Sequence, residues 1–221
     1  MTLAEDLHAQ AERSAAAASP ETRAQRLAAV AAVAASGIDR TAVAVGDLAP
    51  AFTLPDATGR AVALSSLLEH GPVVLSFYRG GWCPYCTLEL RALQAAMPRL
   101  SAAGGTLVAI SPEAPDSSLS TAEKAGLEFA VLSDTEGSTI TAYGLRFTVD
   151  AVTREVLTEA EAKAARARGT TTEILPVPAT YVVGTDGVVR YAFVDTDHRR
   201  RAEPDDLVAA VASLTAQAPS A

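Results

Sequence analysis

The alternation of apolar and polar positions changes character near residue 45. Before it, residues 1–36 are rich in Ala, Glu, Arg and Gln and read as helix. Ser19 followed by Pro20 has the form of an N-cap and a first helical residue, so a helix starts there. Gly37 has the form of its stop. Leu27, Val30 and Val33-Ala34 give it a partial apolar stripe, which predicts docking on the body of the protein or on a second subunit.

From Val45 onward the runs are shorter. "GDLAPAFTLPDATGRAVALSSLL" holds β-like pieces broken by proline and by a turn at Asp56–Gly59. "PVVLSFY" (72–78) is continuously apolar and β-rich, the pattern of a strand buried on both faces. "TLELRALQAAMPRL" places Leu88, Leu93, Ala96-Met97 and Leu100 at helical spacing. "GTLVAIS" and "EFAVLSD" predict two further strands, with a helix at "DSSLSTAEKAG" between them and another at "EGSTITAYG" ending at Gly144. Residues 145–175 read as an insertion holding a polar helix or a loop. "PATYVVGTDGVVRYAFV" then predicts a hairpin turning at Thr185-Asp186-Gly187. "EPDDLVAAVASLTAQ" is a closing helix with acids at its positive end.

Strand–helix–strand–helix–strand requires right-handed crossovers and a parallel core, and the hairpin adds an antiparallel half. The expectation is an α/β protein with a mixed central sheet flanked by helices. A helical extension (1–44) precedes a single domain (45–221).

The net charge is −8, which argues against nucleic acid or an anionic membrane as partner. The main basic cluster, His198-Arg199-Arg200-Arg201, reads as a solvated loop. No apolar run approaches the length that spans a bilayer, and the first residues carry acids and no apolar signal segment, so the cytoplasm is the expected compartment.

Both cysteines of the chain fall in "FYRGGWCPYCTLEL" (77–90), as Cys83-Pro84-Tyr85-Cys86. In a reducing compartment such a pair points to redox catalysis or metal binding rather than to a structural disulfide. At a strand-to-helix turn Cys83 falls near the N-cap and Cys86 in the first turn, where unsatisfied amides and the helix dipole favour thiolate. A structural zinc site wants four ligands, and the three histidines (His8, His70, His198) are distant in sequence, so no metal is expected. A Cu(I) carrier using two thiolates is an open alternative. Pro178 precedes a late strand, and a cis bond there, facing the cysteine turn, is expected.

"GDLAPAFTLPDATGR", "PVVLSFYRGGWCPYC", "LVAISPE", "FAVLSD", "YGL" and "PVPATYVVGTDG" together resemble the peroxiredoxin-like proteins of the alkyl hydroperoxide reductase/thiol-specific antioxidant family, within the thioredoxin superfamily. The resemblance covers roughly residues 45–215 and implies a thioredoxin-like fold. That family's active site reads proline, three residues, threonine, two residues, peroxidatic cysteine. By that count Cys86 matches the peroxidatic cysteine, while Cys83 stands at the threonine position and Arg79 at the proline position. Where the family carries an arginine before the late strand, this chain has Pro178-Ala179-Thr180-Tyr181, closer to thioredoxin.

Two mechanisms follow. In the first, Cys86 reduces hydrogen peroxide or an organic hydroperoxide and becomes a sulfenic acid. Cys83 resolves it, and a thioredoxin-type reductant restores the thiols, with no bound cofactor. In the second, Cys83 attacks a substrate disulfide and Cys86 resolves the mixed disulfide. Trp82 and Tyr85 would then shape the docking surface and Pro178 would align the substrate. Arg79 is the candidate to replace the missing arginine, and Tyr78 to border the pocket. Trp82 either packs over the cysteines or belongs to the core. Glu89 reads as a solvated helix acid, and Thr180 as support for the proline turn. Family relatives commonly dimerise, which makes a homodimer through the N-terminal helices an expectation.

Overall fold

The computed structural model describes residues 2–148 and 174–216. The chain opens with α1 (Leu3–Ala16), α2 (Pro20–Ala35) and the short α3 (Ile38–Thr41). Thr2 and Glu5 cap α1 reciprocally. The carboxylate of Glu203, far along the chain, accepts from the amides of Leu3 (3.3 Å) and Ala4 (2.6 Å), anchoring the positive end of α1. Ser19 caps α2 by accepting from the Thr22 amide, with Pro20 in the first turn, and Gly37 follows in the left-handed region at φ 74°. α1 docks on the body of its own chain: Leu3 and Leu7 are buried in the main core. α2 buries only Ala29.

A hairpin, β1 (Thr53–Pro55) and β2 (Ala61–Ala63), turns where the Asp56 carboxylate accepts from the amides of Thr58 and Arg60. Then come α4 (Leu64–Leu68), β3 (Val73–Phe77), α5 (Pro84–Ala102), β4 (Thr106–Ser111), α6 (Pro115–Ala125), β5 (Ala130–Ser133), α7 (Ser138–Ala142) and β6 (Arg146–Thr148). After the undescribed stretch follow β7 (Ile174–Pro176), β8 (Ala179–Val183), β9 (Val189–Val194) and α8 (Pro204–Ala216). β6 pairs with β7, while the expected polar helix or loop of the insertion lies outside the described residues.

The central sheet has the order β5-β4-β3-β8-β9. β3, β4 and β5 run parallel, and β8 and β9 antiparallel to their neighbours, giving the mixed sheet that the element order requires. Alternation along β3 splits its side chains between two cores. Val74 and Tyr78 face α5 and α8, with Leu90, Leu93, Leu207 and Val211. Val73, Leu75 and Phe77 face the other layer, with Ile140, Tyr143 and Tyr181. β3 is therefore buried from end to end, and its carboxyl end delivers the cysteine turn to the start of α5.

The expected cis bond before Pro178 is not found. No cis peptide bond occurs among the described residues, so the Val177–Pro178 bond is trans. The trans form is the default even before proline, and Val177 is instead held by its amide donating 2.8 Å to the Leu145 carbonyl.

Candidate active site

Cys83 is the N-cap of α5 and Pro84 opens the helix, as the strand-to-helix reading requires. Both cysteines are free, and both are buried, Cys83 to 2% exposure and Cys86 to 0%. The turn before them is narrow. Gly80 sits at φ 140°, and a β-carbon there would lie 2.4 Å from the indole nitrogen of Trp82. Only glycine accepts both constraints. At Gly81 a β-carbon would collide with Thr121 on α6.

The residue closest to the chemistry was not legible in the sequence. Arg201 is buried, and its Nη2 lies 3.4 Å from the Cys86 sulfur. Its Nε donates 2.6 Å to Glu89, and Nη1 donates to the carbonyls of Arg200 (2.7 Å) and His198. This corrects the reading of the 198–201 cluster as a solvated loop. Arg199 pairs with Asp197 and Arg200 with Asp195, so two of the three arginines are matched locally. The third turns inward to a partner 112 positions away.

Glu89 is that partner and not a solvated helix acid. The buried face of α5 runs through Cys86, Glu89, Leu90, Leu93, Ala96 and Leu100, and Glu89 occupies the same stripe as the leucines. That spacing was a usable signal. Its carboxylate also accepts from the hydroxyls of Ser76 and Thr180, both at 3.4 Å. Burial pushes the Glu89 pKa up to about 7, against the pull of the Arg201 guanidinium. Thr180 thus supports the acid and not the proline turn.

The two thiols titrate as a pair. The Cys83 pKa falls to about 6, first through a hydrogen bond from Cys86, with Arg79 and Arg201 adding charge stabilisation. Burial pushes the Cys86 thiol well above its ordinary value, and the neighbouring Cys83 adds to that. One thiolate is therefore available near neutral pH and a second is not.

The other predicted residues divide. Arg79 is buried and stacks over the Trp82 ring, its guanidinium carbon 5.2 Å from the centroid. Trp82 is buried in the same core cluster as the cysteines. Tyr78 does not line the cavity that Arg79, Pro84 and Tyr85 border. It is buried within the core, its hydroxyl donates 3.3 Å to Glu113, and burial raises its pKa well above the usual value. Pro178 lines a cavity together with Arg79, Pro84, Tyr85 and His198. Tyr85 meets His198 edge-to-face at 5.5 Å. Burial, with Arg79 and Arg201 close by, holds the His198 pKa well below 6.5, so this imidazole is neutral at pH 7.

Residues 45–192 match the AhpC/TSA family. The chain belongs to that family. Peroxiredoxin Bcp of Escherichia coli is 34% identical over 100 residues, 45% of this chain and 64% of Bcp. A second relative, from Mycobacterium tuberculosis, is 36% identical over 104 residues, 47% of this chain and 66% of its own length. The chain thus spans just under two thirds of the length of these two relatives. Among solved structures, peroxidoxin BcpB of M. tuberculosis superposes with a TM-score of 0.59 at 25% identity, covering 77% of this chain and 97% of that one. Peroxiredoxin Q of Xanthomonas campestris does so at 0.57 and 19%, covering 74% and 91%, a likeness of fold. The AhpC/TSA match starts at residue 45, so α1, α2 and α3 lie outside it.

Proposed function

We propose that this protein is a thiol-dependent peroxidase. Cys86 takes the oxygen, Cys83 resolves, and a thioredoxin-type dithiol in a reducing compartment such as the cytoplasm returns both thiols. The observation that carries this reading is the Arg201 guanidinium 3.4 Å from the Cys86 sulfur. A peroxide attacked at that sulfur develops negative charge on its departing oxygen, and a fixed cationic donor beside it is what that charge needs. Arg201 would then do from the loop before α8 what the family's arginine before the late strand does, at a place where this chain has Pro178.

The thiolate attacks one peroxide oxygen, the O–O bond breaks, and the other oxygen leaves as alkoxide or hydroxide and is protonated. The sulfenic acid on Cys86 condenses with the Cys83 thiol, releasing water and forming a disulfide. The external dithiol is oxidised as that disulfide is reduced. The pair's first charge rests on Cys83, which accepts from Cys86, so attack by Cys86 requires the proton between the two sulfurs to pass to Cys83, and the Arg201 guanidinium 3.4 Å from the Cys86 sulfur stabilises the thiolate left there.

A second reading has its own observation. Cys83 carries the depressed pKa, and it stands at the helix N-cap, as the attacking thiol of a disulfide oxidoreductase would. Against it stands burial. With 2% and 0% exposure, neither sulfur meets a protein disulfide without opening the turn, whereas a peroxide is small. A Cu(I) carrier is opposed by the guanidinium in contact with one of its two thiolates.

Single-turnover oxidation by hydrogen peroxide tests the choice. Cys83→Ser should still form a trappable sulfenic acid and Cys86→Ser should not. The peroxidase reading fails if Cys86→Ser keeps the peroxide reactivity, or if the wild type reacts no faster than a free thiol.

A further inference from the structure

A cavity of about 240 Å³ lies against the thiol turn. One wall is the turn and its neighbours, with Arg79, Pro84, Tyr85 and Pro178. The facing wall is built by α1 and α2, with Leu27, Val30 and Val33 supplying apolar surface. That second wall lies outside the family match, so it is a property of this chain's N-terminal helices.

The charge of this cavity runs opposite to the charge of the protein. Arg23, Arg26, Arg79 and Arg199 line it, and no carboxylate does among the described residues, in a chain of net charge −8. Arg199 is matched by Asp197. Arg26 donates 3.2 Å to the Ser14 carbonyl and has no carboxylate partner among the described residues. Arg79 is 6% exposed, and its Nε has no hydrogen-bond partner among the described residues. A buried cationic donor left unpaired is costly, and an anion in the cavity would remove the cost. Hydrogen peroxide alone would need neither the arginines nor the apolar wall.

We propose that the cavity binds an amphipathic carboxylate, with the arginines taking the anion and the apolar wall taking the chain, so that the N-terminal helices select carboxylate-bearing organic hydroperoxides. This substrate assignment rests on the peroxidase reading. In the reaction the Cys86 thiolate takes the terminal peroxide oxygen, the O–O bond breaks, and the departing alkoxide picks up a proton to become a hydroxy acid. The sulfur is oxidised by two electrons and the peroxide is reduced by two.

The test uses the reduced full-length protein and two non-oxidising probes of equal chain length, decanoate and decanol. Binding is followed by calorimetry, with Trp82, the one tryptophan of the chain, as a local fluorescence reporter beside Arg79. Decanoate should bind at least about tenfold more tightly than decanol. Arg23→Gln/Arg26→Gln should remove most of that preference, and Arg23→Lys/Arg26→Lys should restore much of it. The ratio of kcat/KM for a hydroperoxy fatty acid to that for tert-butyl hydroperoxide should fall in the glutamine variant. Equal binding of the two probes, no binding of decanoate, or a glutamine variant that binds decanoate like wild type would overturn the anion site. Preferential decanoate binding without peroxide turnover would overturn the substrate assignment through the peroxidase reading and leave the anion site standing.

Discussion

Arg201 Nη2 and the Cys86 sulfur lie 3.4 Å apart although 115 positions separate the two residues. The contact is fixed from behind, because Arg201 is also bonded to Glu89, one turn further along the helix that carries Cys86. The guanidinium is thus oriented before any substrate arrives. Removing it in Arg201→Met should slow the reaction of the reduced protein with peroxide by about 10²–10³-fold, the usual loss for one preorganised donor. Arg201→Lys keeps the charge but not the planar fork, and should fall between. Stopped-flow oxidation measures both, and an unchanged rate in the methionine variant would remove Arg201 from the mechanism.

Glu89 makes stability depend on pH in a stated direction. Its pKa rises from 4.5 when free to about 7 in the fold. Between those values the folded state binds more protons than the unfolded one, so this group's contribution is complete below the lower value and is lost as pH rises through about 7. The gap corresponds to about 3 kcal/mol at most. Glu89→Gln should flatten that part of the stability curve, as measured by denaturant unfolding across the window. A slope that survives in Glu89→Gln belongs to another group.

The thiol pair should show one early ionisation. Thiolate ultraviolet absorbance in the reduced protein should rise with a midpoint near the Cys83 value of about 6, and reach only half its full amplitude by neutral pH. In Cys86→Ala, Cys83 loses its hydrogen-bond donor, and the midpoint should move upward toward an ordinary thiol. A midpoint that stays in place would assign the acidity to the arginines and the helix dipole instead.

Gly80→Ala tests the turn itself. The added carbon would meet the Trp82 ring at 2.4 Å and force a non-glycine residue to φ 140°. A cost of about 1–3 kcal/mol is expected from the strained backbone alone. Displacement of Trp82 should appear as a change in intrinsic fluorescence, and a variant equal to wild type in both readouts would show that the turn can relax.

The order of strands and helices, the hairpin at Asp186-Gly187, the capped break at Ser19-Pro20 and the placement of Cys83 at the head of α5 are local facts, written in periodicity, turn residues and caps. The sequence by itself determined them, and with them the mixed sheet and the position of the two thiols. It did not determine what surrounds those thiols. Arg201 reaches Cys86 because α8 returns beside α5. Glu89 is buried because that return gives its carboxylate a cationic partner. A charged residue reads as solvated until such a partner is known, since burying an ion without a partner is costly. Pro178 took the default trans bond, and Tyr78 sits in the core because β3 alternation carries it inward and its hydroxyl donates a hydrogen bond to Glu113. Periodicity sees neighbours a few residues apart. The charges around the sulfur come from across the fold, and only tertiary packing decides which of them meet.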